Sequence, residues 1–162
     1  MAGRFVLTMS KLSPMKKFTV TLFFFLLLSA CADENKEISE RIEAQFNASR
    51  SAPINLALVG PPTWERVCVV HPYAMNEHVE KVLGFKWDAA GKNSIESNDG
   101  IDLLVFVKGK EVVAYTEHPR NKGDFSKVMP LCLTRDQATL VRQLDKDGWV
   151  YLVTRQQATT SH

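Results

Sequence analysis

Between Lys17 and Cys31 the chain runs for thirteen residues, Phe18–Ala30, without a charge. That run decides how much of the sequence is left to fold. A helix crossing a bilayer needs about 20 apolar residues, so this one is short for a span. A basic segment, here Lys16 and Lys17, leading into an apolar run of this length is the layout of a secretory signal. Residues 1–30 are therefore set apart from the fold as a signal peptide. Met15 with the two lysines makes a complete short signal by itself, so Met15 is a candidate start and Met1–Pro14 an extension. An uncleaved membrane anchor is the competing reading of the same run.

The run ends in Leu28-Ser29-Ala30-Cys31. In that context the four residues resemble the lipobox of bacterial lipoproteins, where cleavage precedes a cysteine that carries diacylglycerol. The resemblance covers about Met15 to Cys31 and reaches no further into the chain. It implies lipidation of Cys31, a place in the cell envelope facing the periplasm, and the membrane as a partner through lipid. One acyl chain anchors marginally and two or more hold firmly, at about 0.8 kcal/mol per buried methylene. Ala32 stands where an aspartate would favour inner-membrane retention, which points to the outer membrane, with Asp33 one position later.

Composition narrows the rest. With 162 residues, 45% hydrophobic and 23% charged, the chain is unlike collagen, coiled coils or disordered polymers. Its net charge of +2 is carried by the signal. With Arg4, Lys11, Lys16 and Lys17 set aside, 16 basic residues face 18 acidic ones, a net of −2. A basic nucleic-acid footprint is not supported, and no nucleic-acid partner is expected.

The mature chain divides into a lipidated N-terminus and tether (31–53), a compact domain (54–155) and a flexible tail (156–162). In the tether, Ile38, Ile42 and Phe46 recur every four residues and predict a helix with a narrow apolar stripe. It reads as a surface helix packing weakly on the domain or bilayer, or as a helix for a partner. In the domain, Ile54–Val59 and Arg66–His71 predict strands. A helix from Asn76 buries Val79, Val82 and Leu83 and ends at Gly84. Phe85–Trp87 reads as a brief strand. Ile101–Lys108 and Glu111–Thr116, joined by Gly109-Lys110, predict a tight hairpin. Val128–Leu133 predicts another strand. Thr134 with Gln137 has the form of a capping box, opening a helix with Ala138, Val141 and Leu144 on one face. Trp149–Thr154 closes the domain as a strand. The sum is an α+β fold, a small and mainly antiparallel sheet with two helices, preceded by a signal peptide and a helical tether.

With Cys31 assigned to lipid, Cys68 and Cys132 are left, an even pair in an oxidising compartment. Closing the 65-residue loop between them stabilises the fold by about 4 kcal/mol in the chain-entropy model. Two separate buried thiols are the alternative. Tight metal spacings are missing, and a Zn or Cu site from His71, His78 and His118 is the weaker reading of the histidines, so neither metal nor cofactor is expected. Beyond the signal segment there is no Gly-x-Ser-x-Gly, Ser-x-x-Lys or His-Glu-x-x-His, and no catalytic residue is assigned. Asp99, Asp102, Glu117 and Asp124 are acids that would suit a hydrolase if one sheet end gathered them. Trp64, Trp87 and Trp149 border apolar runs and read as core anchors rather than sugar platforms.

The most function-like segment is the loop from Glu117 to Phe125. It carries Glu117, His118, Arg120, Lys122 and Asp124, of both signs, a stiffening Pro119, and Phe125 as an anchor. Those residues are the candidate partner site. The competing reading is a connector in which Arg120 and Asp124 pair with each other and Phe125 is core. The expected function is a non-enzymatic, lipid-anchored module that binds a protein, such as an inhibitor or immunity-type protein. The alternatives are a structural accessory of an envelope assembly or transport complex, and an envelope hydrolase.

Overall fold

Residues 30–160 are described by the structure, a computed structural model, and the expected signal segment lies outside them except for its last residue, Ala30. The element order is α1 (Ala30–Ala48), β1 (Ile54–Asn55), a 3-10 turn (Leu56–Leu58), β2 (Arg66–Val70) and α2 (Asn76–Leu83). There follow β3 (Ile101–Lys108), β4 (Glu111–Pro119), a second 3-10 turn (Arg120–Lys122), β5 (Cys132–Thr134), β6 (Thr139–Leu144), β7 (Val150–Thr154) and α3 (Arg155–Thr160). The fold is α+β. Its strands form two antiparallel sheets where the sequence suggests one, in the orders β4-β3-β2-β5 and β1-β6-β7.

The larger sheet is apolar on both faces. Strand β3 reads Ile-Asp-Leu-Leu-Val-Phe-Val, and all seven of these residues are buried. One face carries Val67, Val69, Leu104, Phe106 and Leu133, which pack with Ile54, Leu140 and Leu152 of the smaller sheet. The other carries Cys68, Val70, Leu103, Val105 and Val107 beneath Val79 and Leu83 of α2. Gly109, at φ 57°, lets the β3–β4 hairpin turn as tightly as expected. Cys68 and Cys132 are direct partners across β2 and β5 and are joined by a disulfide.

The helix read as a tether belongs to this core. Ile38 and Ile42 are buried in the same cluster as Leu56, Val67 and Phe125, and Phe46 packs against it. Fully burying an aliphatic side chain contributes about 1.5–3 kcal/mol, which is more than a weakly docked surface helix gains. The last turn of α1 has no basic residue of its own, and its final carbonyls lack intrahelical donors. Arg142 of β6 supplies them. Its guanidinium donates to the carbonyls of Phe46 (2.8 Å), Gln45 (3.1 Å) and Arg50 (3.3 Å) and to that of Ala52, and stacks on the Phe46 ring.

Other elements also depart from the sequence reading. Residues 139–144 are a strand, not a helix, because Leu140 pairs with Ile54 on one side and Thr154 on the other. Half of the capping box survives: the Gln137 side chain accepts the Thr134 amide at 3.1 Å, but within a turn that feeds β6. The expected strand at Ile54–Val59 ends at Asn55, whose side chain caps the 3-10 turn. The strand expected from Val128 begins at Cys132, since Pro130 has no amide for the ladder. Phe85–Trp87 is not a strand, and Trp87 packs edge-on against Tyr115. Asn76 does not cap α2; its side-chain oxygen accepts the amides of Ala89 and Ala90, both at 2.9 Å. The helix Arg155–Thr160 takes up residues 156–160 of the expected tail. Trp64 is fully buried as an anchor, Trp87 is half-buried and Trp149 stays 40% exposed.

Candidate functional site

The loop from Glu117 to Phe125 is held from both ends. Strand β4 carries it in to Pro119, the 3-10 turn Arg120–Lys122 reverses it, and Gly123 at φ 122° releases it toward Asp124. A Cβ on Gly123 would stand 3.0 Å from Leu152 and 3.2 Å from Phe46, so backbone and packing both exclude a side chain there. Beyond it, Asp124 joins the smaller sheet: its amide donates to Val150 O at 3.1 Å and its carbonyl accepts from the Leu152 amide at 2.7 Å.

The charged groups of this loop are each held by a partner within the chain. Asp124 is fully buried. Its Oδ2 accepts from Arg120 Nε (3.0 Å) and Trp149 Nε1 (2.8 Å) and pairs with Arg120 Nη2 (2.8 Å), while Oδ1 accepts the Ser126 amide (2.8 Å). Burial by itself raises the Asp124 pKa, but the donors Ser126, Trp149 and Arg120 outweigh it and hold the carboxyl below its ordinary value. Arg120 spends a further donor on the Asp99 carbonyl at 3.0 Å. Lys122 pairs with Glu43 of α1 at 2.6 Å. Glu117 lies on the opposite face of β4 and accepts the Ser94 amide.

His118 and Phe125 are fully buried, the imidazole edge-on to the phenyl ring with centroids 5.5 Å apart. Phe125 is therefore core. The Arg120–Asp124 pairing considered as the alternative is what the structure contains. His118 is bracketed by Ser39 Oγ at Nδ1 (3.0 Å) and the Lys122 carbonyl at Nε2 (3.2 Å). Burial pulls its pKa below the ordinary histidine value, against the raising effects of the Lys122 carbonyl, Asp102 and Glu43. Two matched spacings make this seam: Ser39 and Glu43 lie one turn apart on α1, and their partners His118 and Lys122 also lie four apart. Neither Ser39 nor Glu43 stood out in the sequence. The stripe Ile38–Ile42 was the available signal, because it turns the neighbouring Ser39 and Glu43 toward whatever the helix packs on.

Of the four acids, Asp102 and Asp124 are drawn into the loop, Asp99 contributes its carbonyl, and Glu117 points away. Asp102 is fully buried; its Oδ2 accepts the Phe125 amide at 2.8 Å and its Oδ1 faces His71 Nδ1 at 3.7 Å. Continuing the β2–β3 register sets His71 beside Asp102, and Asp102 is the direct partner of His118 on β4, so the three form one row across the sheet. Among the described residues, no three His, Cys, Asp or Glu side chains are gathered as a metal ion requires. Between α1 and β4 lies an open cleft of about 560 Å³ with Ser39 among its lining. No protein-family model, no curated protein and no solved structure matches this chain.

Proposed function

We propose that the chain is a bacterial envelope lipoprotein, anchored by lipid on Cys31 and facing the periplasm, that binds a protein partner. The anchor rests on the lipobox-like Leu28-Ser29-Ala30-Cys31. The binding surface we assign is the end of the larger sheet where β2 gives way to α2, rather than the loop that precedes Phe125. The observation that carries it is Tyr73. Its backbone takes φ 62°, which costs a bulky residue about 1–3 kcal/mol, yet its side chain remains 62% exposed. Its amide is pinned to the Ile95 carbonyl at 2.8 Å. Strain kept at a position whose side chain is mostly exposed fits a side chain displayed for another molecule.

Met75, 66% exposed, follows it. Met129, 59% exposed, emerges at the same end, two residues before Leu131, whose carbonyl accepts the Val69 amide. Tyrosine and methionine are enriched at the centres of protein interfaces, and an inhibitor or immunity-type role is one form this binding takes. A photoreactive residue at position 73, compared in living cells with one at exposed Lys110, tests the surface. A discrete adduct from position 73, weakened by Met75→Asp and Met129→Asp, is expected; equal or no adducts at the two positions overturns the assignment. The anchor is tested by labelling with a palmitate analogue, which Cys31→Ser should abolish.

A further inference from the structure

In the cleft between α1 and β4, Ser39 is half-buried on the lining while His118 is fully buried behind it. The bonding around the imidazole has a direction. A carbonyl only accepts, so the 3.2 Å contact with Lys122 O assigns the ring proton to Nε2. Nδ1 then carries the lone pair, and the Ser39 hydroxyl at 3.0 Å donates to it. A nucleophilic serine needs these parts: a serine on the wall of a cleft, a base accepting its proton, and a third group fixing the ring. The Lys122 carbonyl is that third group, and the Phe125 ring closes the side of the imidazole. A serine present only to satisfy a buried histidine has no need to line a cleft.

We infer that Ser39 is an acyl-accepting nucleophile, with His118 as its general base, acting on small uncharged esters. The choice of substrate follows from the walls: Lys36 pairs with Glu40 at 3.5 Å and Lys122 with Glu43 at 2.6 Å, and Lys92 and Glu117 on the lining offset each other, which leaves little net charge for an ionic ligand. In the reaction, Oγ forms a bond to the acyl carbon as the bond to the alkoxy group breaks. The Oγ proton moves to Nδ1 and on to the departing alkoxide. Water then attacks the acyl-serine, His118 takes its proton and returns it to Oγ, and the balance is ester and water to acid and alcohol. The groups facing His118 are Asp102 from β3, Glu43 from α1 and Lys122 from its own loop. Burial prevails over the carboxylates and keeps the imidazole neutral, the form a base requires. This site is separate from the Tyr73 surface, adds an activity to a chain expected to be non-enzymatic, and its failure leaves the binding reading untouched.

The test is a fluorophosphonate probe on the full-length protein in detergent, with the adduct located by tandem mass spectrometry. We expect one label per chain on Ser39, lost on unfolding in urea and reduced at least about 100-fold in Ser39→Ala, whose fold is checked by circular dichroism. His118→Gln should slow labelling by about 10²–10⁴-fold, the usual worth of a general base. Should that variant fail to fold, the wild-type rate is read against pH and must fall as His118 takes up a proton. Folded wild type that stays unlabelled, label that persists in Ser39→Ala, or a rate indifferent to pH overturns the inference.

Discussion

The amide of Phe125 donates to the buried carboxylate of Asp102 at 2.8 Å, tying the exit of the loop to the strand beside its entrance. Phe125 is consequently fixed in the core before any partner is considered. Asp102→Ala leaves that amide without an acceptor and should lower stability by about 1–3 kcal/mol, while Asp102→Asn, which can still accept, should lose less. Urea unfolding of the two variants checks the order; equal losses would mean that the bond to Phe125 contributes little.

Acid should attack the protein through two groups of the same loop. His118 is held below its ordinary pKa, so the unfolded chain binds its proton first, and stability present above about pH 6.5 is lost as pH falls from there toward the folded value. Asp124 is also held low, so its contribution is present above about pH 3.9 and is lost as pH falls through its folded value. Thermal unfolding against pH should thus show two declines. His118→Gln should remove the upper and Asp124→Asn the lower, the latter at a cost in stability at neutral pH because Arg120 and Trp149 lose a charged acceptor.

Arg142 is the clasp of α1. Arg142→Ala strips donors from four carbonyls in a partly buried place and should cost about 3 kcal/mol, allowing for the weak additivity of such bonds. Arg142→Lys, which presents a point charge instead of a fork, should recover only part of this. Amide exchange should speed up first in the last turn of α1, near Gln45 and Phe46; uniform acceleration would locate the role of Arg142 elsewhere.

Reducing the disulfide between Cys68 and Cys132, which lie 64 residues apart in sequence, should destabilise the chain by about 4 kcal/mol. The double Cys→Ser variant, measured by urea unfolding, gives the number. In oxidised protein neither thiol should react with an alkylating agent until a reductant is added.

Local signals in the sequence suffice wherever the partner of a segment lies next to it. The hairpin of β3 and β4 needs only its β-branched runs and Gly109-Lys110, and α2 ends at Gly84 in the left-handed conformation a C-terminal glycine supplies. The disulfide followed from an even cysteine count. Distance defeated the rest. The Thr134–Gln137 signal is real as a hydrogen bond, but pairing of Leu140 with Ile54, far along the chain, decides for a strand. The stripe of α1 is visible in the sequence, whereas its burial is not, since two of its polar partners, His118 and Lys122, are each 79 residues away. The mixed charges of the loop are visible in the sequence, but that Arg120 pairs with a buried Asp124 and that Phe125 is core is decided by the tertiary packing.

The membership of the main core sets the order in which this protein can fold. Ile38 and Leu152 belong to one apolar cluster, and β1 has β6 as its only neighbour in the smaller sheet. A chain that lacks β7 lacks Leu152, the last member of that cluster in sequence, and leaves β6 paired on one side alone. Contacts so distant in sequence are slow to form and give little reward to a partial chain. A chain cut before Val150 therefore loses Leu152 from the core and one of the two strand partners of β6 together, and should be much less stable than the full chain.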